Sequence, residues 1–474
     1  MTAILFPTSS SPGERPSESA GRLINAMAEA LGPAAPAKAK IVRAPGLSEF
    51  GDHGAVSGFR GAFLIGTTLY MAYSGTLRAI VANGTESTIN TLSGTEPVFF
   101  AHNNKAPISD KVVITENGAF TIDVSDNSID AFADSDLPAP VDVCFGDGYF
   151  FFAIADGRCF ASGLNDVTVD AADFATAEGK PDNLMRCVFY GGQLYLAGAG
   201  TIEVWDGSTI NPTAFPFNRV TVIPRGLISN RAITGHENGF GLSLCFTGEN
   251  GIVYALKGYE PNRISTPDVE RDIANLADKS EVRMTCYVER GHPCIVVKSD
   301  SWTWVFDLST QTWHERKSYL VETWRAEQFV WAFDKWLCGE DTAGKVGQIS
   351  STMRTEFSDH LIWEVHSAPG AAFPQRMAVN RADFHFVPGV GDVTGIDPIE
   401  TDPQVHISWT DNGGETWSSP LMRDLGRQGK YNETVSVHRT GQTGQRGRRW
   451  KLKVSDPVYV SLLGGDMQVE ARAA

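Results

Sequence analysis

The sequence predicts an all-β protein: a degenerate β-propeller of six or seven blades, a C-terminal antiparallel β-sandwich, and a short N-terminal arm. Three observations predict it. Short apolar strand pairs recur at roughly 35 to 50 residues, the length of a four-stranded blade. Their turns carry Gly-Gly, Asn-Gly or Asp-Gly, residues that accept the positive φ of tight hairpins. After about residue 352 the texture changes to longer strands of alternating polarity. The chain has 474 residues, too long for one small core, with 47 glycines and 26 phenylalanines. The expected divisions are an arm and linker over 1–55, a propeller over 56–352 and a sandwich over 353–474.

The chain opens with "MTAILFPTSSSPGERPSES", which lacks a basic start followed by an apolar stretch, so no signal peptide is expected. Residues 7–20 are rich in Pro, Ser and Glu and are expected to be extended or loosely ordered. In "SAGRLINAMAEALG" (19–32), Leu23, Ile24, Met27, Ala30 and Leu31 fall at helical spacing, with Ser19 as cap and Gly32-Pro33 as stop, so a helix is expected. "PAAPAKAK" (33–40) reads as a linker and "IVRAPGLSEFG" (41–51) as the start of the folded body.

Seven segments carry the repeated strand pairs: 59–80, 110–124, 141–162, 185–207, 230–258, 283–316 and 327–350. Their apolar runs, such as "GYFFFAIA" (148–155), have strand length and not membrane length. "TIEVWDGST" and "TWVFDLSTQTWHE" resemble the outer strands of kelch-like propellers, in which an aromatic packs between blades. A large β-sandwich with similar hairpins is the other reading of this region. One interval breaks the β texture: "STPDVERDIANLADKSE" (265–281) has a Ser/Thr-Pro-Asp start and Val269, Ile273 and Leu276 at helical spacing, predicting a short surface helix between blades. Beyond it, "RRWKLKVSD" (448–456) alternates Trp450, Leu452 and Val454 with Arg449, Lys451 and Lys453, the pattern of a half-buried strand with a charged outer face.

The formal net charge is −16 and the pI near 5.1. A general nucleic-acid binder needs basic surface to replace counterions, so that class is disfavoured. A protein that DNA passes through is not, because an acidic wall repels phosphate. The seven cysteines are odd in number and lack Cys-x-x-Cys spacing, as expected of reduced, buried thiols. The ten histidines include no His-Glu-x-x-His; His360 and His366 are the nearest pair to consider for one element, and no metal site is expected. "GVGDVTG" (389–395) lacks the Lys-Ser/Thr of a P-loop, and no Gly-x-Ser-x-Gly elbow occurs, so neither a cofactor nor an enzyme activity is expected.

Two local features remain. "TDNGGETW" (410–417) looks like an Asp-box, the turn of sialidases, with Asn412 at the acidic position. It occurs once and outside the repeats, and a retaining sialidase also needs an arginine cluster and a Tyr–Glu pair that the sequence alone does not place. It reads better as a tight hairpin in which Asn412, Gly413 and Gly414 take positive φ and Trp417 packs the sandwich core. The second feature is a basic cluster in an acidic chain: Arg423, Arg427, Lys430, Arg439, Arg446, Arg448, Arg449, Lys451 and Lys453, against Asp424 and Glu433. It reads as a solvated strand face, or as a contact patch for an acidic face of another subunit or for passing DNA phosphate.

The same C-terminal segment is similar to the C-terminus of the tail-hub, or packaged-DNA stabilisation, proteins of short-tailed bacteriophages. Their "DGGxTWS" turn, "LGxxGxY" stretch, Arg-rich stretch and "sDPVxVxLLGA" end correspond here to Asn412–Ser418, Leu425-Gly426-x-x-Gly429-x-Tyr431, Gly447-Arg448-Arg449, and Ser455-Asp456-Pro457-Val458 with Leu462-Leu463-Gly464-Gly465. At the other end, "RLINAMAEAL" and "IVRAPGLSEFG" resemble the family's "NxYxEAL … RxPGL" opening, with Ala26-Met27 as the departure. The resemblance implies a virion protein assembled in the host cytoplasm. It implies a ring, six copies most naturally, below the portal and adaptor, which extends the double-stranded DNA channel, retains the genome and carries the tail needle or tailspikes. The alternative is a glycan-binding or sialidase-like propeller serving as a receptor-binding tail component.

Overall fold

In a computed structural model the protein is described over residues 2–54, 56–123, 128–180, 182–207, 215–370 and 375–472. Five four-stranded antiparallel sheets span 59–91, 99–131, 140–176, 184–223 and 233–263 (blades 1–5). Blade 6 spans 283–315, and blade 7 takes three strands from 326–350. Each repeated segment of the sequence falls in its own blade, so the described residues form seven; residue 124 and the last two residues of "TIEVWDGST" lie outside the described residues. The first strands of successive blades lie side by side in a circuit, and Ala326–Ala332 of blade 7 touches Phe59–Ile65 of blade 1.

A strand from the N-terminal region closes this circuit. Gly46–Asp52 pairs antiparallel with Lys345–Ser350 as the fourth strand of blade 7, with Leu47 opposite Ile349. Side chains also tie inner strands to the next blade. Asp142 accepts from the Cys187 N–H at 2.8 Å, Thr285 from the Phe329 N–H at 2.8 Å, and Gln328 from the Ala62 N–H at 3.0 Å. These first strands are the edges of their sheets, where alternate amides point away from the single neighbouring strand, and a buried donor must be answered.

Apolar clusters fill the spaces between neighbouring blades. Phe151 and Cys159 meet Leu196 and Trp205 between blades 3 and 4. Cys245 and Val253 meet Ile295, Trp304 and Trp313 between blades 5 and 6. The aromatic residues expected between blades are therefore there. The expected helix forms as Pro267–Ala274, with Thr266 before it and Pro267 at its first position, where a missing N–H costs nothing. Val269 and Ile273 are fully buried in the cluster of blades 5 and 6. No helix among the described residues is long and apolar enough to cross a membrane.

The C-terminal region is an antiparallel sandwich. One sheet orders Ala26–Ala30, Ala39–Arg43, Ser461–Arg472, Arg376–Phe386 and Val435–His438, with Thr2–Ile4 also paired to the long strand Ser461–Arg472. The other orders Trp363–His366, Arg449–Val454, Gln404–Thr410 and Leu421–Asp424. Trp363 and Trp450 are fully buried between them, with Phe384 edge-on to Trp450 at 5.3 Å.

The expected helix over 19–32 is not formed. Arg22–Ile24 and Ala26–Ala30 are strands, separated by Asn25 at φ 49°. The apolar run is buried on both faces, from Leu23 through Ala28, and a short run of that kind carries no helical stripe to distinguish it from a buried strand. Two waiting sheet edges decide it. Ile24 pairs with Glu315 of blade 6 on one side, and Arg22–Ile24 pairs with Trp363–His366 of the sandwich on the other. Blade 6 and one sandwich sheet thereby become a single nine-stranded sheet. Residues 33–38 are the loop of a hairpin between Ala26–Ala30 and Ala39–Arg43, with Ala30 opposite Ala39.

Candidate functional site

The basic segment of the sandwich divides into surface and interior. Arg427, Lys430, Arg439 and Arg446 are exposed. Arg427 pairs with Asp402 at 2.8 Å, and Lys430 lies 3.8 Å from Asp424 and 3.7 Å from Glu433. Arg423 is half-buried and donates to the Ser436 carbonyl at 2.7 Å. On strand Arg449–Val454 the expected alternation holds from Trp450 onward and fails at Arg449, which is buried: Trp450, Leu452 and Val454 are fully buried, while Lys451 and Lys453 are half-exposed. Lys451 sits 4.5 Å above the Trp417 ring, and Lys453 stands between Glu364 and His406 in the sheet register. Burial works against ionisation of Glu364, but the His366 hydrogen bond and the lysine charges hold its pKa at about 2.

Arg448 and Arg449 are interior, at 0% and 3% exposure. Arg448 forks onto Asp411 at 2.8 and 2.7 Å and donates to the carbonyls of Thr440 and Gln442 at 3.0 and 3.3 Å. Its guanidinium lies 5.4 Å from the Trp409 ring centre and 5.6 Å from that of Trp450. Arg449 donates to Pro16 O at 2.6 Å, Ser19 Oγ at 2.8 Å, Ser367 O at 3.3 Å and Gly413 O at 3.4 Å. Burial lowers its pKa, with Arg22 adding to the effect.

The hairpin of residues 410–418 adjoins this pair. Asn412 takes the role of the acidic residue: its Oδ1 accepts from Thr416 N at 3.0 Å and Thr410 Oγ1 at 2.8 Å, while its Nδ2 donates to Thr416 Oγ1 at 2.8 Å. Gly413 and Gly414 have φ of 81° and 106°. A Cβ on Gly413 would stand 2.8 Å from Ser17 Cβ, so the turn needs glycine for contact as well as conformation. Trp417 corrects the sequence reading. It lies half-buried on the outer face against His366 and Lys451, not in the core. The turn faces the N-terminal segment, and this is what the glycines make room for.

That segment joins the two domains. Ser10 N donates to Trp313 O at 2.7 Å and Ser10 Oγ to Glu315 at 2.7 Å. Ser11 Oγ and Gly13 N donate to Asp268 at 2.9 and 3.0 Å. Arg22 pairs with Glu315, which raises the arginine pKa against the opposing effect of burial. Asn25 Nδ2 donates to Lys317 O at 2.8 Å and Ile362 O at 3.0 Å. Alongside, the fully buried Arg316 meets Glu356 at 3.3 Å and stacks 4.0 Å from Trp324. Arg22, Glu315, Asp268 and Asn25 carry no local signal of this role, because their partners are hundreds of residues away. Residues 7–20, expected to be loose, are held at both ends by Ser9–Gly13 on the propeller and Pro16–Ser19 on Arg449. The arrangement provides ion pairs and hydrogen bonds between two β-domains. Among the described residues no group of three His, Cys, Asp or Glu is placed to hold a metal ion.

Residues 22–354 match the family model of bacteriophage P22 Gp10, β-propeller, and residues 372–470 match that of bacteriophage P22 Gp10, β-sandwich. No curated protein matches the chain. Among solved structures, the computationally designed Ika8 protein aligns with 64% of this chain and 99% of its own at 11% identity and a TM-score of 0.38, too slight a likeness to carry an argument.

Proposed function

The chain belongs to the bacteriophage P22 Gp10 family of tail-hub, packaged-DNA stabilisation proteins, and from that premise we propose that its copies form a ring below the portal and its adaptor. In this reading the ring is six-fold, extends the DNA channel, retains the packaged genome and anchors the tail needle or tailspikes. The family makes the chain a structural protein of the phage tail. The observation that carries the finer reading is the match to both domains of that family, in order, over nearly the whole chain.

Physical features support it. A formal charge of −16 suits a wall that DNA must pass without sticking. One continuous sheet through blade 6, Arg22–Ile24 and the sandwich suits a part that bears load. The exposed cations Arg427, Lys430, Arg439 and Arg446 suit head-to-tail contact with an acidic neighbour. Leu320, 88% exposed in the loop between blades 6 and 7 beside Tyr319 and Val321, suits a subunit contact that buries it.

Electron microscopy of intact virions with the chain located, together with its mass in solution, tests this. A six-fold ring at the portal vertex is expected. A monomer placed on peripheral appendages, with sugar-dependent binding, would overturn it in favour of a receptor-binding role.

A further inference from the structure

The first strands of all seven blades surround an axial cavity of about 490 Å³. It is far too small for a double helix, and its wall contradicts the charge of the chain. Arg60, Arg186, Arg231, Arg283 and Lys298 line it, against Asp142, Glu237 and Glu327: five cations to three carboxylates in a protein of net charge −16.

Three of those cations meet carboxylates, and a fourth, Arg60, meets backbone carbonyls while its Nη2 stays buried without a partner. Arg186 donates to Asp142 at 2.7 Å and lies 4.2 Å from the Phe99 ring centre. Arg283 forks onto Glu327 at 2.7 and 3.0 Å and reaches Asp300 at 2.8 Å. Lys298 donates to Glu327 at 2.6 Å and to the carbonyls of Trp324 and Ala326. Arg60 donates at 2.7 Å to each of the carbonyls of Ser74, Leu92 and Glu96. Arg231 is different. Its side chain makes no hydrogen bond or ion pair among the described residues, and its Nε is buried without a partner. Burial lowers its pKa and the charge of Arg283 adds to this, against the smaller opposing charges of Glu327, Asp300 and Glu96. The residue is half-buried and only the Nε is sealed off, so an anion entering the cavity would answer a guanidinium that the protein leaves without an acceptor.

The cavity is also polarised along the axis. Arg60 precedes Phe63, Asp142 precedes Phe145, Arg186 precedes Phe189 and Glu327 precedes Trp331 by three or four positions on the inner strands. Three residues of strand span about 10 Å. The end that holds Arg231 is therefore charged, and the other carries four half-buried aromatic side chains beside the carboxylate of Glu237, which accepts from Thr234 Oγ1 and Gly235 N.

We propose that the axial cavity binds a small organic anion, a carboxylate or phosphate on an apolar body, with its charge on Arg231 and its body against the aromatic ring of side chains. This stands independently of the ring-forming role. Calorimetric titration of the full-length protein with phenyl phosphate tests it, with inorganic phosphate and phenol as the other arms. Saturable one-to-one binding of phenyl phosphate is expected, with both other arms at least tenfold weaker. Arg231→Met should weaken binding at least tenfold while leaving the melting temperature at or above that of the wild type, since no protein bond is lost. Arg427→Met, at the surface of the sandwich, should bind as the wild type. No saturable binding, or unchanged affinity in Arg231→Met, would overturn the proposal. Inorganic phosphate binding as tightly as phenyl phosphate would overturn the role of the aromatic end.

Discussion

Where the N-terminal segment meets the sandwich, Arg449 meets four acceptors, and beside it within the sandwich Arg448 is held by a carboxylate, two carbonyls and two indole rings. On the propeller axis, Arg231 meets no acceptor among the described residues. Both places bury positive charge in an acidic chain, and the difference lies in what surrounds it. At the junction, acceptors come from three distant parts of the chain: the N-terminal segment, the turn at 410–418 and the strand end at Ser367. There the cation is a fastener. On the axis Arg60, Arg186, Arg283 and Lys298 also find acceptors, but space is left where an acceptor for Arg231 would be. A buried charge stabilises a fold only where its donors are answered; elsewhere it lowers stability and is open to a ligand.

Substitutions can break or sharpen that contrast. The largest loss is expected from Glu356→Ala, which strips the carboxylate from fully buried Arg316, leaving it only the Pro45 carbonyl, and the acceptor from Ser318 Oγ at 2.6 Å and Trp324 Nε1 at 2.7 Å. Orphaning a buried cation costs about 3–5 kcal/mol, measurable by denaturant unfolding. Arg449→Met should cost about 2–3 kcal/mol through several unanswered acceptors. It should also speed proteolysis within residues 9–20, which limited digestion would show.

His314 gives a pH test of the same region. Burial, with Arg316 adding, holds its pKa down to about 3. The unfolded chain takes up that proton near pH 6.5 and the folded chain does not. Stability should therefore be complete above pH 6.5 and fall as the pH drops toward 3, by up to about 1.4 kcal/mol per pH unit, or about 2 kcal/mol at pH 5. His314→Gln should flatten that limb of the curve of unfolding free energy against pH. Asn412→Ala removes the acceptor that organises the turn and should cost about 1 kcal/mol, read from the denaturation midpoint. Arg231→Met should cost nothing or stabilise slightly. A loss comparable to that of Arg449→Met would erase the distinction between the two cation sets.

Much of the propeller was legible because a blade is local. Each hairpin carries its own turn residues, and all seven segments read from the sequence became blades. Its closure was not legible, because Gly46–Asp52 finds its partner across the chain: Ser48 bonds to Gln348, 300 residues away. Arg22–Ile24 failed for the same reason, since its strand character comes from two remote edges. Alternation along 449–454 placed Trp450, Leu452 and Val454 correctly and would put Arg449 outside. The N-terminal segment covers it, and no pattern within the strand records that cover. The axial cations were invisible in the sequence because the blades contribute them one or two at a time, many residues apart.

The most direct test of the hub reading is genome retention by phage particles assembled without this chain. Heads that package DNA and then lose it, with retention restored by adding the purified protein, are the expected result. Particles that lack the chain and still hold their DNA would contradict it.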